Sequence, residues 1–173
     1  MSKLEVPFRT GYQRTISALL WLAIAIGWLV STFSVLQEMC LTTACRDTAG
    51  FTVLGINMGW FGIIYFTLLL LILWQRKRHI RLNWALAAMV FTGVGAELRL
   101  LWIQKYVIGG WCPLCVSICC ALFCAAILLL LEKRQGDDPD ITDKKNLLRW
   151  VVLMAVMIAS GLVIAILGVK TLE

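Results

Sequence analysis

The sequence predicts an all-α integral membrane protein with five transmembrane helices. Of its 173 residues, 61% are hydrophobic, whereas a soluble domain is typically about 45–50% apolar. The mean hydropathy is correspondingly high, at +0.86. Long apolar runs occupy residues 17–36, 56–74, 83–104, 112–131 and 148–169. Each run holds about 20 residues, enough for a helix to cross a hydrocarbon core of roughly 30 Å.

The first apolar run has the position of a secretory signal peptide, but it lacks the cleavage site of one. No small-x-small motif follows residues 17–36, and "LQEMC" lacks the small residues that a lipoprotein cleavage before Cys40 needs. We therefore read this run as the first membrane-spanning helix.

The basic residues predict the orientation in the membrane. If five helices alternate across the bilayer, twelve Lys and Arg residues fall on the side of the N-terminus and three on the other side. The twelve are Lys3, Arg9, Arg14, Arg76, Lys77, Arg78, Arg81, Lys133, Arg134, Lys144, Lys145 and Arg149; the three are Arg46, Lys105 and Lys170. The positive-inside rule then places the N-terminus in the cytoplasm and the C-terminus outside. Because this rule accounts for the net charge of +6, we expect no nucleic-acid partner.

Seven cysteines are divided by this topology into two groups. Cys40 and Cys45 fall in the first outer loop, and Cys112 and Cys115 start the fourth run at the same face. In a bacterial inner membrane that face is the oxidising, periplasmic side. Two close pairs of cysteines there predict a dithiol relay. Deeper in the fourth run are three further cysteines, which we read as small packing residues: Cys119, Cys120 and Cys124.

The stretch "GGWCPLC" has features that suit redox chemistry. Gly109 and Gly110 predict a turn, and Pro113 suits the first turn of a helix, where its missing N–H costs nothing. Cys112 would then lie at the helix N-terminus, where the dipole stabilises a thiolate, and would face the outer loop. Cys115 would lie about 4.5 Å deeper. Such a pair could pass electrons from an aqueous donor to a lipid-soluble acceptor.

Two other interpretations give the cysteines a role in metal binding instead of redox chemistry. Four thiolates could bind zinc, or the cysteines of the fourth run could form the path of a membrane metal carrier for mercury or copper. The spaced pair Cys40 and Cys45 suits a relay better than a channel, and structural zinc usually organises small soluble folds. The remaining alternative is a membrane scaffold with incidental disulfides.

Three segments together resemble the bacterial form of the vitamin K epoxide reductase family. They are the loop pair Cys40 and Cys45, "VLGINMGWFGIIYF" at the second run, and "WIQKYVIGGWCPLC" between the third and fourth runs. The resemblance extends over residues 17–131. Family members often carry a Gly-Ile-Pro-like run followed by Gly and Tyr, which here reads Gly55-Ile56-Asn57, Gly62 and Tyr65.

The resemblance implies a four-helix bundle around a quinone, ubiquinone or menaquinone, with an extra fifth helix. The core is expected over residues 1–131 with an outer loop at 37–55, a cytoplasmic linker at 132–147 and the fifth helix at 148–173. Bacterial members often continue into a thioredoxin-like domain. Because this chain stops soon after the fifth run, we expect a separate periplasmic partner of the DsbA type, acting in trans.

The resemblance also implies an order of thiol exchange. The reduced partner would attack the Cys40–Cys45 disulfide, Cys45 would then attack Cys112, and Cys115 would deliver electrons to the quinone. DsbB-like oxidases run the same chemistry with the two kinds of cysteine pair in the opposite order, so they remain an alternative. The tyrosine that vertebrate members carry four residues after the second cysteine is Cys119 here. We therefore expect simple quinone reduction rather than epoxide chemistry.

The predicted quinone site combines Cys115 with three other residues: Thr52, Asn57 and Glu97. Thr52 replaces a Ser or Thr that family members carry near the second loop cysteine. Asn57 could donate to a quinone carbonyl, with a helix cap or an inter-helix hydrogen bond as the alternative. Glu97 is a candidate proton relay, because ionisable residues inside a membrane helix are usually functional or paired. Arg99, two residues on, would pair elsewhere or extend outward.

Overall fold

The computed structural model describes residues 11–40, 51–53, 56–76, 81–135 and 144–171. In this part of the chain the predicted all-α architecture is confirmed. The helices are α1 (Gly11–Cys40), α2 (Met58–Gln75), α3 (Arg81–Ile103), α4 (Pro113–Gln135) and α5 (Lys144–Gly168). A π-helical turn, Gln104–Ile108, extends α3.

Four of these helices are long and apolar enough to cross a membrane, as expected of a multi-pass membrane protein. Their apolar spans are Arg14–Gln37, Leu82–Val107, Pro113–Glu132 and Trp150–Gly168. The apolar part of α2, Gly59–Gln75, is shorter. At 1.5 Å per residue it covers about 25 Å, close to the lower limit for a membrane helix.

Helix α2 nevertheless lies antiparallel beside most of α1. Near its end, Arg76 Nη2 donates to Ser17 Oγ over 3.2 Å. Further back along α2, the Phe66 ring packs against Gly27, and Gly62 packs against Ser31. From the first of these contacts to the last, the residue number on α1 rises from 17 to 31 while that on α2 falls from 76 to 62. The shorter helix therefore occupies the same depth of the bundle as residues 17–31.

An ion pair joins three helices at one end of the bundle. Arg76 donates from both terminal nitrogens to the two carboxylate oxygens of Glu132, each over 2.8 Å. The Arg76 side chain is only 5% exposed, and Glu132 is 23% exposed. Because Arg76 also contacts Ser17, this end gathers the start of α1, the end of α2 and the end of α4. We name it the Arg76 end.

Cysteines lie at the opposite end of the bundle. Cys40 is 23 residues beyond Ser17 on α1, about 35 Å along the helix axis. Cys112 is 20 residues before Glu132 on the α4 side, about 30 Å along that axis. The backbones of Cys40 and Cys112 are therefore carried to the same end, which we name the cysteine end.

Helices α3 and α5 run parallel and approach each other closely. Gly161 lies against the carbonyl group of Thr92, and Gly95 lies against that of Ile158. Nearer the helix starts, the rings of Trp84 and Trp150 stack with centroids 4.7 Å apart. The glycines let the two backbones touch, as small residues do in membrane helix pairs.

A small antiparallel sheet closes the cysteine end. Its strands are β1 (Phe51–Val53), β2 (Ile56–Asn57) and β3 (Val169–Thr171), in the order β2-β1-β3. The predicted second run includes residues 56–57 and the predicted fifth run includes residue 169, so the structure corrects these helix boundaries. The strands form because β1 has two pairing partners, β2 along one edge and β3 along the other, and this pairing is not visible in local sequence.

The predicted linker at 132–147 is also shorter than expected. Helix α4 continues to Gln135, and α5 begins at Lys144. Residues 136–143 lie outside the described residues. The polar ends of both helices extend beyond the apolar runs because a helix remains hydrogen-bonded after it leaves the apolar layer.

Replacing Gly161 with leucine should separate α3 from α5. A Cβ at this position would overlap the Thr92 carbonyl group, and the backbone cannot give way without moving the helix. We expect a loss of roughly 1–3 kcal/mol in the free energy of unfolding, measured by thermal or denaturant unfolding in detergent micelles. The matched control is Gly11→Leu, because nothing lies within 4 Å of a Cβ at Gly11. Equal stability of the two variants would contradict the close packing.

Candidate functional site

The turn between α3 and α4 is built on Gln104 and Gly109. Gly109 adopts the left-handed conformation, with φ 73° and ψ 12°, and its N–H donates to the Gln104 carbonyl oxygen. The Gly110 N–H donates to the same oxygen over 3.3 Å. This is the turn that the two glycines predict, and Gly109 is required because other residues rarely adopt a positive φ.

Helix α4 begins at Pro113, as predicted. The carbonyl oxygen of Cys112 accepts the N–H of Val116 over 3.1 Å, which is the first hydrogen bond of the helix. Cys112 therefore occupies the N-cap position, and Cys115 is the third residue of the helix. Both thiols lie where unpaired N–H groups and the helix dipole favour negative charge.

The two thiols of this motif contact each other. The side chain of Cys115 hydrogen-bonds that of Cys112, and all five cysteines of α4 and its N-cap are free thiols. That Cys112 faces the outer loop stays a prediction, because residues 41–50 lie outside the described residues; its side chain is buried, whereas that of Cys115 is half-buried. The side chain of Gln104 connects the start of α4 to α3.

Gln104 makes this connection from inside the bundle. Its Oε1 accepts the backbone N–H of Cys112 over 3.4 Å, and its side chain also hydrogen-bonds Cys115. Only 3% of Gln104 is exposed. Our sequence reasoning missed this residue. It could have been found as a polar residue seven positions after Glu97, which places both side chains on the same face of α3.

Glu97 lies on the same face of α3 as Gln104, about two helical turns deeper in the bundle. Its carboxyl group is close enough to Cys115, Cys119 and Tyr65 to interact electrostatically with each of them. The Tyr65 hydroxyl donates to the Met89 carbonyl oxygen over 2.7 Å. The structure thus brings the predicted residues Glu97 and Cys115 together. A continuous set of polar side chains leads from the cysteine end into the bundle, and we name it the polar strip: Gln104, Cys112, Cys115, Glu97, Cys119 and Tyr65.

The deeper cysteines are not equivalent. Cys119 is buried and belongs to the polar strip, whereas Cys120 and Cys124 are exposed on the outside of α4. The sequence gives the same packing role to all three. Helix geometry separates them, since Cys119 lies four residues after Cys115 on the same face and Cys120 is turned about 100° from Cys119.

Arg99 lies away from the polar strip. It follows Glu97 by two residues, which turns it to another face of α3, and the two side chains cannot pair there. Its guanidinium carbon lies 4.4 Å from the centroid of the Trp102 ring. Arg99 thus makes a cation–π contact with a residue of its own helix.

The remaining predicted residues are described in part or not at all. Cys45 lies outside the described residues, as do the side chains of Cys40, Thr52 and Asn57. The backbone places Thr52 directly opposite Asn57 in the β1–β2 pair. It also ends β2 at Asn57, one residue before α2 begins at Met58. Asn57 therefore precedes the second helix, in the position that the helix-cap alternative requires.

The described residues contain no cluster of three or more His, Cys, Asp or Glu side chains that could hold a metal ion. No protein-family model matches this sequence, and no curated protein is significantly similar to it.

Proposed function

We propose that this protein is a quinone-dependent thiol oxidoreductase of a bacterial inner membrane. It reoxidises a periplasmic, thioredoxin-fold, disulfide-forming partner of the DsbA type and passes the electrons to ubiquinone or menaquinone. One observation carries the proposal: a dithiol pair at the start of a membrane helix lies within electrostatic range of a carboxyl group inside the bundle, through Cys115 and Glu97. Electron transfer from thiols to a quinone needs both groups at one place.

Thiol exchange supplies the electrons. A partner thiolate attacks the Cys40–Cys45 disulfide at Cys40, which frees Cys45 as a thiolate. Cys45 attacks the sulfur of Cys112, the Cys112–Cys115 bond breaks, and Cys115 takes the electron pair. The position of Cys40 and Cys112 at one end of the bundle supports this exchange, because α1 and α4 carry their backbones to the same end.

The chemistry of the polar strip fits a quinone. A bound quinone would accept two electrons and two protons and leave as the quinol. Cys115 is the proposed electron donor, and Glu97 contributes a carboxyl group within electrostatic range of it. Thr52 and Asn57 are the proposed polar contacts from the β1–β2 pair, which pairs them at the cysteine end. Leu122 and Val90 belong to the buried apolar core against which Tyr65 of the strip packs.

Glu97 is the proposed proton carrier. Oxidation of two thiols to a disulfide releases two protons, and these must move within an apolar bundle where free charge is costly. A carboxyl group within electrostatic range of both Cys115 and Cys119 can hold one proton close to the thiols. Tyr65, whose hydroxyl is fixed by the Met89 carbonyl oxygen, closes the strip on the inner side.

The proposed orientation follows the distribution of basic residues. The Arg76 end carries the loops that are rich in Lys and Arg, so we assign it to the cytoplasm. The cysteine end then faces the periplasm, where thiols meet an oxidising environment. The N-terminus is proposed to be cytoplasmic and the C-terminus periplasmic, with α2 as a fifth crossing. Support for that crossing comes from the antiparallel register of α1 and α2.

Redox-state alkylation in membranes tests the proposed function. Reduced wild-type protein should regain disulfides when a quinone is added under anaerobic conditions, and a thiol-reactive mass tag should report the change. Cys112→Ala should abolish this reoxidation, because the electron path from the outer pair is cut. Cys124→Ala is the matched control, since Cys124 is exposed on the outside of the same helix. Oxidation that does not depend on quinone, or a wild-type rate in Cys112→Ala, would refute the proposal. A metal carrier or a scaffold predicts that quinone does not change the reoxidation of the cysteines.

Glu97→Gln should slow quinone reduction without impairing thiol exchange with the partner. The amide keeps the size of the side chain but cannot carry a proton, and loss of a general acid–base group typically costs about 10²-fold or more. Quinol formation by absorbance measures the first step, and a gel assay of partner reoxidation in a single turnover measures the second. Glu97→Asp should recover part of the rate. Equal quinol formation in wild type and Glu97→Gln would remove the carboxyl group from the mechanism.

Cys45→Ala should trap the partner. Without Cys45 the Cys40 thiolate can attack the oxidised disulfide of the partner, which forms a Cys40–partner disulfide and releases the second partner thiolate. Cys45 is absent and cannot cleave this new bond, so a covalent complex should accumulate. Non-reducing gels of cells that express a tagged variant would detect it, and mass spectrometry would identify Cys40 and the partner. The Cys40→Ala/Cys45→Ala double variant is the control. Persistence of the complex in the double variant, or its absence in Cys45→Ala, argues against the order of exchange.

A further inference from the structure

We infer that Gln104 is the residue that stabilises the thiolate of Cys115 when this sulfur becomes the leaving group of the relay. The inference rests on the proposed function, since it assigns a role within the same thiol exchange. It adds a positioning residue on α3 that acts through the two cysteines of α4.

A closed ring of hydrogen bonds joins Gln104 to both cysteines. The backbone N–H of Cys112 donates to Gln104 Oε1 over 3.4 Å. The side-chain amide of Gln104 donates to the sulfur of Cys115, whose side chain in turn hydrogen-bonds that of Cys112. With its oxygen occupied by Cys112, the amide has a fixed orientation that directs its N–H groups to Cys115.

The backbone of Gln104 holds the side chain in this place. Its carbonyl oxygen accepts the N–H groups of both Gly109 and Gly110, so one residue fixes the turn and the thiols together. Gln104 is also the first residue of the π-helical turn, and such turns recur at functional sites because they displace side chains from the ordinary helix face. At 3% exposure, the amide has no water to compete for its hydrogen bonds.

The step in which this donor acts involves one sulfur leaving and one bond forming. An incoming thiolate attacks the sulfur of Cys112, a new disulfide forms there, and the Cys112–Cys115 bond breaks. Cys115 leaves with the electron pair and one negative charge, and no proton moves in this step. An exchange of this kind is faster when the leaving thiolate is stabilised, and a hydrogen bond donated to the anion stabilises it.

Other described neighbours of Cys115 cannot provide this stabilisation. Cys112 has just entered a new disulfide, and Glu97 carries a carboxyl group, which has no N–H to donate and whose negative charge would repel a thiolate. Gln104, by contrast, has a buried side-chain amide with N–H groups to donate, and it is fixed beside Cys112 by the hydrogen bond to its oxygen. The start of α4 adds its dipole, but that contribution does not depend on Gln104.

Alkylation of Cys115 tests the inference without quinone or partner. The background is Cys112→Ala, which keeps the backbone N–H that binds Gln104 and leaves Cys115 without its thiol neighbour. Gln104→Glu keeps the acceptor and the shape but loses the donor, and Gln104→Met loses both. At a fixed neutral pH, N-ethylmaleimide should modify Cys115 about tenfold more slowly in both variants, as followed by mass spectrometry. Gln75→Met is the control, because Gln75 is exposed near the Arg76 end.

The direction of the change separates the proposed role from a structural one. A variant that merely loosens the bundle exposes Cys115 and speeds its alkylation, so a faster rate would overturn the inference, as would an unchanged rate. Slower alkylation in the Gln104 variants supports it. Because the assay uses neither quinone nor partner, a failure of quinone-dependent reoxidation would refute the proposed function while leaving this result intact.

Discussion

Backbone hydrogen bonding in an apolar surrounding is the constraint on which the rest of this structure depends. In lipid, an unpaired N–H or carbonyl group costs several kcal/mol, so the chain forms helices wherever it crosses. The junction between α3 and α4 interrupts this pattern at the cysteine end. There the Gln104 carbonyl oxygen accepts two N–H groups, and its side chain accepts a third from Cys112. The backbone N–H groups at this junction are hydrogen-bonded within the protein, and the junction places two thiols at the start of a helix.

The helices hold this junction in register through contacts at both ends. At the Arg76 end, a bidentate ion pair fixes α2 and α4 to each other and, through Ser17, to α1. A buried ion pair contributes little net stability, but it is costly to misalign, so it specifies which helix ends meet. At the cysteine end, β1 pairs with β2 along one edge and with β3 along the other. The polar strip lies in the bundle between the contacts of the Arg76 end and those of the cysteine end.

Within the polar strip, the two thiols of the motif differ in burial and in the residues around them. Cys112 is buried and its backbone N–H donates to Gln104, whereas Cys115 is half-buried, hydrogen-bonds the Gln104 side chain and lies within electrostatic range of Glu97. Each sulfur therefore has its own set of neighbours. This asymmetry is the property that a relay needs, because each sulfur must exchange with a different partner. It arises from α3, which supplies both Gln104 and Glu97.

Local sequence determined the helical, membrane-embedded class, the positions of the apolar runs and the dithiol motif with its glycine turn and Pro113. Apolar periodicity and length are properties of consecutive residues, so they can be predicted without a partner. Tertiary structure alone decided the burial of Cys112, the inclusion of Cys119 in the polar strip and the role of Gln104, because each depends on how α3 faces α4. It also decided the small sheet and the parallel pairing of α3 with α5, which depend on contacts between segments far apart in the chain.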